Sequence, residues 1–299
     1  MKYNQLGVSE LFVSELSFGC MSLKEDFSTS ERLIHNAFEK GINYFDTADL
    51  YQNGYNEEVL GRSIKNFRKD VIIATKVGNQ IREDGKNWDW NPRKSYILKA
   101  VEDSLKRLQT DYIDLYQLHG GTIDDPIDET IEAFEILKRE GKIRYYGISS
   151  IRPNVIKEYV KQSNMVSVMM QYSLLDRRAE EECLQLLYDH NIGVLARGGL
   201  AKGILAGKPA KEYLDYNTTE TKKVIDKLTQ ISIATNKTIC NTALQFVIQQ
   251  PTITSAVLGI RTAHQLEECL ATLQTIPLLS EELEVLYKIS KANTYDLHR

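Results

Sequence analysis

The chain has 299 residues, 42% hydrophobic and 26% charged, which excludes the disordered and fibrous extremes and supplies a sizeable core. Its net charge of -4 and isoelectric point near 5.8 give no overall attraction to nucleic acid or an anionic membrane, so any anion must be held locally. The opening MKYNQLGVSE lacks a basic-then-apolar leader and no later apolar run approaches a membrane span, which predicts a cytoplasmic protein.

After a short opening that suits a hairpin, strand-like runs alternate with helix-like stretches. The first four strands are predicted at Leu16–Gly19, Asn43–Asp46, Val71–Lys76 and Ile113–His119. Helices follow at Ser30–Lys40, Glu57–Phe67, Arg93–Leu108 and Asp128–Glu140, with Lys-Gly and Glu-Gly as C-terminal stops. Four more strands are predicted at Ile143–Ser149, Val166–Gln171, Gly193–Arg197 and Ser255–Leu258, with helices near Pro153–Lys161, Ala179–His190, Glu220–Asn236 and Thr262–Thr272. Two further helices read at Ile239–Gln250 and Glu281–Ala292. Strict alternation argues for parallel strands, and eight units favour a closed α/β barrel, a single (β/α)8 TIM barrel over residues 1–299. Gly78–Pro92, with Trp88 and Trp90, and Gly198–Thr219 exceed ordinary loop length, the mark of functional loops.

Barrel active sites lie at the C-terminal ends of the strands. Asp46 closes strand two, Tyr51 follows in FDTADLY, Lys76 closes strand three and His119 closes strand four. Each alone has a structural explanation, and Lys76 with Asp46 is sufficient as a structural ion pair. A phenol and an imidazole on the same rim add two proton-handling groups, which suits carbonyl reduction. Tyr51 is the candidate acid, Lys76 is expected to lower its pKa towards the working range, Asp46 to hold Lys76, and His119 to bind the carbonyl oxygen. Hydride requires a nicotinamide cofactor, although no GxGxxG follows the first strand.

Together with FDTADLY, ATK, DLYQLHG, GKIRYYGIS and GIRTAHQLEE, which span nearly the whole chain, this set resembles the aldo-keto reductase superfamily, in particular its bacterial NADPH-dependent branch. The resemblance implies NADP(H) extended across the barrel mouth, with Tyr51, Asp46, Lys76 and His119 as the catalytic tetrad. It further implies that Gly19, Asp46, Ser149, Ser150 and Gln171 lie around the nicotinamide and that Gly198, Leu200 and Lys202 line the pyrophosphate. Arg261 and Gln265 fall at the 2′-phosphate and Glu268 at the adenine. Three positions depart from the common pattern: Ser150 replaces an Asn, Arg197 a stacking aromatic, and Cys269 an Asn near the adenine.

Structural readings stand beside these. Ser149 and Ser150 suit a helix cap, Gly198 a turn, and Arg261 and Gln265 a solvated surface. Trp88 and Trp90 suit either a lid or, with His119, the substrate pocket. Cys20, Cys183, Cys240 and Cys269 have no CxxC pair and read as reduced thiols, and no His pair has metal-ligand spacing. The expected partner is a small aldehyde or ketone, with neither nucleic acid nor membrane. The alternative function is a nicotinamide-binding, redox-sensing regulatory subunit, opposed by the intact tetrad; a hydrolase lacks a carboxylate matched to Asp46.

Overall fold

Strands that are apolar on both faces need cover on both, and here helices cover the outside while side chains fill the inside. The computed structural model describes residues 1–299. An opening hairpin of β1 (Tyr3–Gln5) and β2 (Phe12–Ser14) leads into β3 (Leu16–Gly19) and α1 (Phe27–Glu39), which starts where Asp26 accepts the Thr29 amide. Next come β4 (Tyr44–Asp46), α2 (Tyr55–Ile64) and β5 (Ile72–Val77), then a second hairpin of β6 (Asn79–Ile81) and β7 (Trp88–Trp90) and α3 (Lys94–Leu108). The chain continues through β8 (Ile113–Leu118), α4 (Ile127–Arg139), β9 (Ile143–Ser149), α5 (Pro153–Gln162), β10 (Ser167–Gln171), α6 (Cys183–Asp189) and β11 (Gly193–Arg197). It ends with α7 (Thr218–Ala234), α8 (Ile239–Ile248), β12 (Ile253–Gly259), α9 (Ala263–Ala271) and α10 (Ser280–Ile289). No helix is long and apolar enough to cross a membrane.

The eight strands close in the order β10-β11-β12-β3-β4-β5-β8-β9, all pairs parallel, as a (β/α)8 barrel requires. The larger core lies between barrel and helices; a smaller one fills the barrel and is plugged from below by Leu6, Leu11 and Val13 around the first hairpin. Tyr44, Ala74, Leu115, Met169 and Leu195 belong to that inner core. Two residues further along the same strands, and therefore on the same inward face, stand Asp46, Lys76, Gln117, Gln171 and Arg197. A polar layer thus lies directly on an apolar one.

Several boundaries differ from the sequence expectation. Gly78–Pro92 is not a plain loop, because its ends pair as β6 and β7; Gly78 at φ 120° makes the turn, and Trp90 packs so close that a Cβ on Gly78 would stand 2.6 Å from its ring. β5 runs one residue past Lys76. The helix expected from Ala179 starts only at Cys183, since Arg178–Glu180 is a separate turn tied by the Arg177 guanidinium to Glu180. The helix expected to reach Phe67 stops at Ile64, and Lys65–Asp70 follows as tighter turns broken at Phe67.

Candidate active site

Parallel pairing sets Asp46 opposite Ala74 and Lys76 opposite Gln117, which brings the strand ends to one level. Lys76 is 1% exposed, and a buried ammonium is tolerated only with its donors satisfied. Its Nζ donates to Asp46 Oδ1 at 2.5 Å, to the Thr47 carbonyl at 2.7 Å and to the Tyr51 hydroxyl at 3.3 Å, one acceptor for each N–H. Burial works against the Lys76 charge, yet the Asp46 carboxylate and the Tyr51 oxygen together outweigh it and hold Lys76 above its ordinary value. Asp46 takes a further bond, at 3.4 Å, from the Gln117 amide.

Tyr51 reaches this group from a tight turn in which Gln52, Asn53 and Gly54 all have positive φ. Glycine is needed at 54, where a Cβ would stand 2.7 Å from Arg107 Cδ. Because the Tyr51 oxygen accepts from Lys76, its own proton remains free for another acceptor. The expectation that Lys76 brings the phenol down towards neutrality is corrected: burial pushes Tyr51 above its ordinary value, and the pull of Lys76 does not cancel it. At neutral pH Tyr51 is therefore a protonated phenol.

His119 meets the Tyr51 ring edge-on, 5.7 Å between centroids. Burial, reinforced by Lys76 and Arg197, lowers its pKa to about 3, so the imidazole is neutral at working pH. Its Nδ1 is buried without a partner, and a bare lone pair there costs less than an orphaned N–H, which places the proton on Nε2. The four residues thus form one group: a satisfied ammonium, a phenol with its proton free, a neutral imidazole and a carboxylate.

The remaining predicted positions spread along the same rim and beyond. Ser149 and Ser150 are buried, and the Ser150 hydroxyl accepts the Arg152 amide at 3.1 Å, a local turn of the capping kind. Gln171 and Arg197 are half-buried, and Arg197 has no acidic partner while its charge acts on Asp46, Tyr51 and His119. Gly198 has φ 75° and Lys202 φ 58° in the loop that follows, with Leu200 half-buried between them. Gly19 ends β3 beside Asp46. At the start of α9, Arg261 and Gln265 are exposed and joined by a bond from the Arg261 amide to Gln265 Oε1; Glu268 is half-buried. Cys269 is 5% exposed and turned inwards onto Cys240. Trp88 is 49% exposed on the second hairpin, whereas Trp90 donates to the Asp125 carboxylate at 2.9 Å and packs beside Gly120, next to His119.

The sequence reading missed Gln117 and the polar group behind the tetrad. Gln117 carried a signal: a polar side chain in DLYQLH, two residues before His119 and so on the same face. Behind the rim, Glu57 is fully buried and accepts from Thr75 at 2.5 Å and from Arg107 at 2.6 Å, while burial and the neighbouring Glu57 push Asp49 up to about 8. Those partners come from separate elements and share no spacing in the chain.

A nicotinamide dinucleotide fits this donor set: the Gln171 amide nitrogen and the Arg197 guanidinium have no acceptor in the protein, and glycine at 198 leaves the backbone beside them bare.

Residues 15–291 match the model of the aldo/keto reductase family. An uncharacterized oxidoreductase of Bacillus subtilis (strain 168), YqkF, is 48% identical, with all of both chains covered. Among solved structures, the holo form of the aldo-keto reductase AKR11C1 from Bacillus halodurans is 51% identical, with 100% of this chain and 99% of that one covered and a TM-score of 0.95; its apo form gives 0.86. A probable voltage-gated potassium channel subunit beta of Oryza sativa subsp. japonica is 28% identical over 95% of this chain and 94% of its own.

Proposed function

The chain belongs to the aldo/keto reductase family, and from that premise we propose that it reduces aldehydes and ketones to alcohols with NADPH, Tyr51 supplying the proton. The observation that carries this reading is the Tyr51 hydroxyl, which accepts from Lys76 and so keeps its own proton for an oxygen at the barrel mouth. Bound NADPH supplies the hydride from C4 of its nicotinamide. On the protein's side, His119 donates from Nε2 to the oxygen on which charge develops, and its neutrality means that no proton must first be lost. When Tyr51 gives up its proton, the ammonium of Lys76 stands 3.3 Å from the phenolate and stabilises it. Asp46 keeps that ammonium charged and in place.

The cofactor's nicotinamide end is assigned to Gly19, Asp46, Ser149, Ser150, Gln171 and Arg197. Its pyrophosphate is assigned to Gly198, Leu200 and Lys202, and its adenosine 2′-phosphate end to Arg261, Gln265 and Glu268. The free guanidinium of Arg261 near the N-terminus of α9 supports a phosphate there, and hence NADPH over NADH. The 299 residues act as one barrel domain in the cytoplasm.

The test is the loss of NADPH absorbance with a panel of aldehydes and ketones, beside NADH and beside Tyr51→Phe. The variant is expected to lose at least ~100-fold in turnover, the scale of general acid catalysis, and to retain NADPH affinity within about threefold. A fully active Tyr51→Phe protein refutes Tyr51 as the acid. Tight NADPH binding without turnover would favour the redox-sensing subunit that the channel-subunit relative suggests.

A further inference from the structure

Gln171 ends β10 at the barrel mouth, and one of its neighbours decides which way its side-chain amide points. Arg178 Nη2 lies 3.4 Å from Gln171 Oε1. A guanidinium only donates, so the oxygen must face it; the flipped amide would set NH2 against NH2. The nitrogen is then left on the opposite side, towards Gly198, where even a Cβ would lie no closer than 3.8 Å to it. Within the protein it meets no acceptor.

Arg178 is itself held from two sides. Its Nε and Nη2 make a two-point pair with Asp176, both at 2.8 Å, and Asp176 is 1% exposed in a tight turn closed by reciprocal backbone bonds with Ser173. Its guanidinium also lies over the ring of Tyr295, 4.8 Å from the centroid. Tyr295 belongs to the C-terminal segment, which is pinned by its own amide to Glu181 at 3.2 Å and by Arg299 to the same carboxylate at 2.6 Å. A rigid donor fork therefore bears on the one amide in the mouth that has a free nitrogen.

We propose that Arg178, locked by Asp176 and by Tyr295 of the C-terminal segment, is a positioning residue that holds Gln171 as a hydrogen-bond donor towards the carboxamide oxygen of the nicotinamide. This rests on the reading that the barrel mouth takes NADPH. Gln171 then recognises the oxygen of the carboxamide and is indifferent to its nitrogen, and the C-terminal segment contributes to cofactor affinity without touching the cofactor.

The experiment measures NADPH dissociation constants by quenching of tryptophan fluorescence, with no turnover required. Gln171→Ala and Arg178→Met are each expected to weaken binding about 3- to 10-fold, the range of one hydrogen bond, and the double variant to bind no more weakly than Gln171→Ala alone. Gln171→Glu, which can only accept, is expected to lose at least about tenfold. The 3-acetylpyridine analogue of NADPH keeps the carbonyl oxygen and lacks the NH2 group; Gln171→Ala is expected to lose the same factor on it as on NADPH. Full affinity in Gln171→Glu, or additive losses in the double variant, overturns the proposal and leaves Arg178 a purely structural anchor. If Arg178→Met does not fold, as read by circular dichroism, Gln171→Glu and the analogue still decide. A folded wild-type protein that does not bind NADPH removes the cofactor reading itself.

Discussion

Replacing Asp46 with Asn changes one charge in the barrel and almost no volume, so its effect isolates the ion pair. Lys76 is 1% exposed, and in Asp46→Asn its ammonium keeps the Thr47 carbonyl and Tyr51 hydroxyl but loses the only carboxylate bonded to it. Breaking a buried pair by removing one partner costs about 3–5 kcal/mol, and the two surviving acceptors put this case at the lower end, ~3 kcal/mol. At roughly 2 °C per kcal/mol for a domain of this size, the melting temperature falls by about 6 °C. The pH dependence is more diagnostic than the size of the loss. In the wild type the Lys76 pKa is raised on folding, so its stabilisation is complete below the ordinary lysine value and declines as pH rises through the folded one. In Asp46→Asn, burial is opposed only by the neutral acceptors at Thr47 and Tyr51 and depresses the folded value; the unfolded chain then binds the extra proton, and stability rises with pH between the depressed and ordinary values. Urea unfolding at pH 7 and pH 9.5 reads the contrast: both lie below the ordinary lysine value, so Lys76 gives the wild type no slope between them, whereas the variant gains stability as the pH rises. A variant equally destabilised at both pH values, or not destabilised at all, refutes the claim that Asp46 keeps Lys76 charged.

Three further outcomes follow from individual contacts. His119, with a pKa of about 3, stays neutral on folding while the unfolded imidazole protonates, so it lowers stability as pH falls from about 6.5 towards 3; His119→Gln should flatten that part of the urea-unfolding profile, and an unchanged slope would contradict a neutral His119. Asp125→Ala removes both acceptors of the Trp90 indole and should cost about 1–2 kcal/mol while shifting tryptophan emission to longer wavelength; an unshifted spectrum would show that the second hairpin does not depend on that bond. Gly61→Ala would put a methyl group 2.4 Å from the Leu108 carbonyl oxygen where α2 and α3 meet, an overpacking worth at least about 1–3 kcal/mol in chemical unfolding, and wild-type stability would mean that the two helices separate easily.

Much of the fold was legible because its signals are local. Each barrel strand is an apolar run bounded by turns, most helices carry an apolar stripe, and strict alternation permits few architectures. The tetrad was legible for a related reason: in a barrel the C-terminal ends of strands converge, so Asp46, Lys76 and His119 are marked by their place after apolar residues, and Tyr51 by its distance from Asp46. The second hairpin was not, since Gln80, Asp89 and their neighbours carry no apolar alternation and pair only because Gly78 turns the chain and Trp90 packs across it.

What the sequence by itself determined is which side chains reach the mouth: period two along parallel strands places Asp46, Lys76, Gln117, Gln171 and Arg197 two residues beyond the inner apolar layer. What only the tertiary structure decided is the state in which they arrive. The sequence suggested that Lys76 would lower the Tyr51 pKa, whereas burial outweighs it and leaves a protonated phenol. Arg178 reaches Gln171 only through a turn held by Asp176 and a C-terminal segment more than a hundred residues away in the chain. Desolvation depends on every atom packed around a group, and contacts of that separation follow from how layers close on one another; neither is written in the spacing of neighbouring residues.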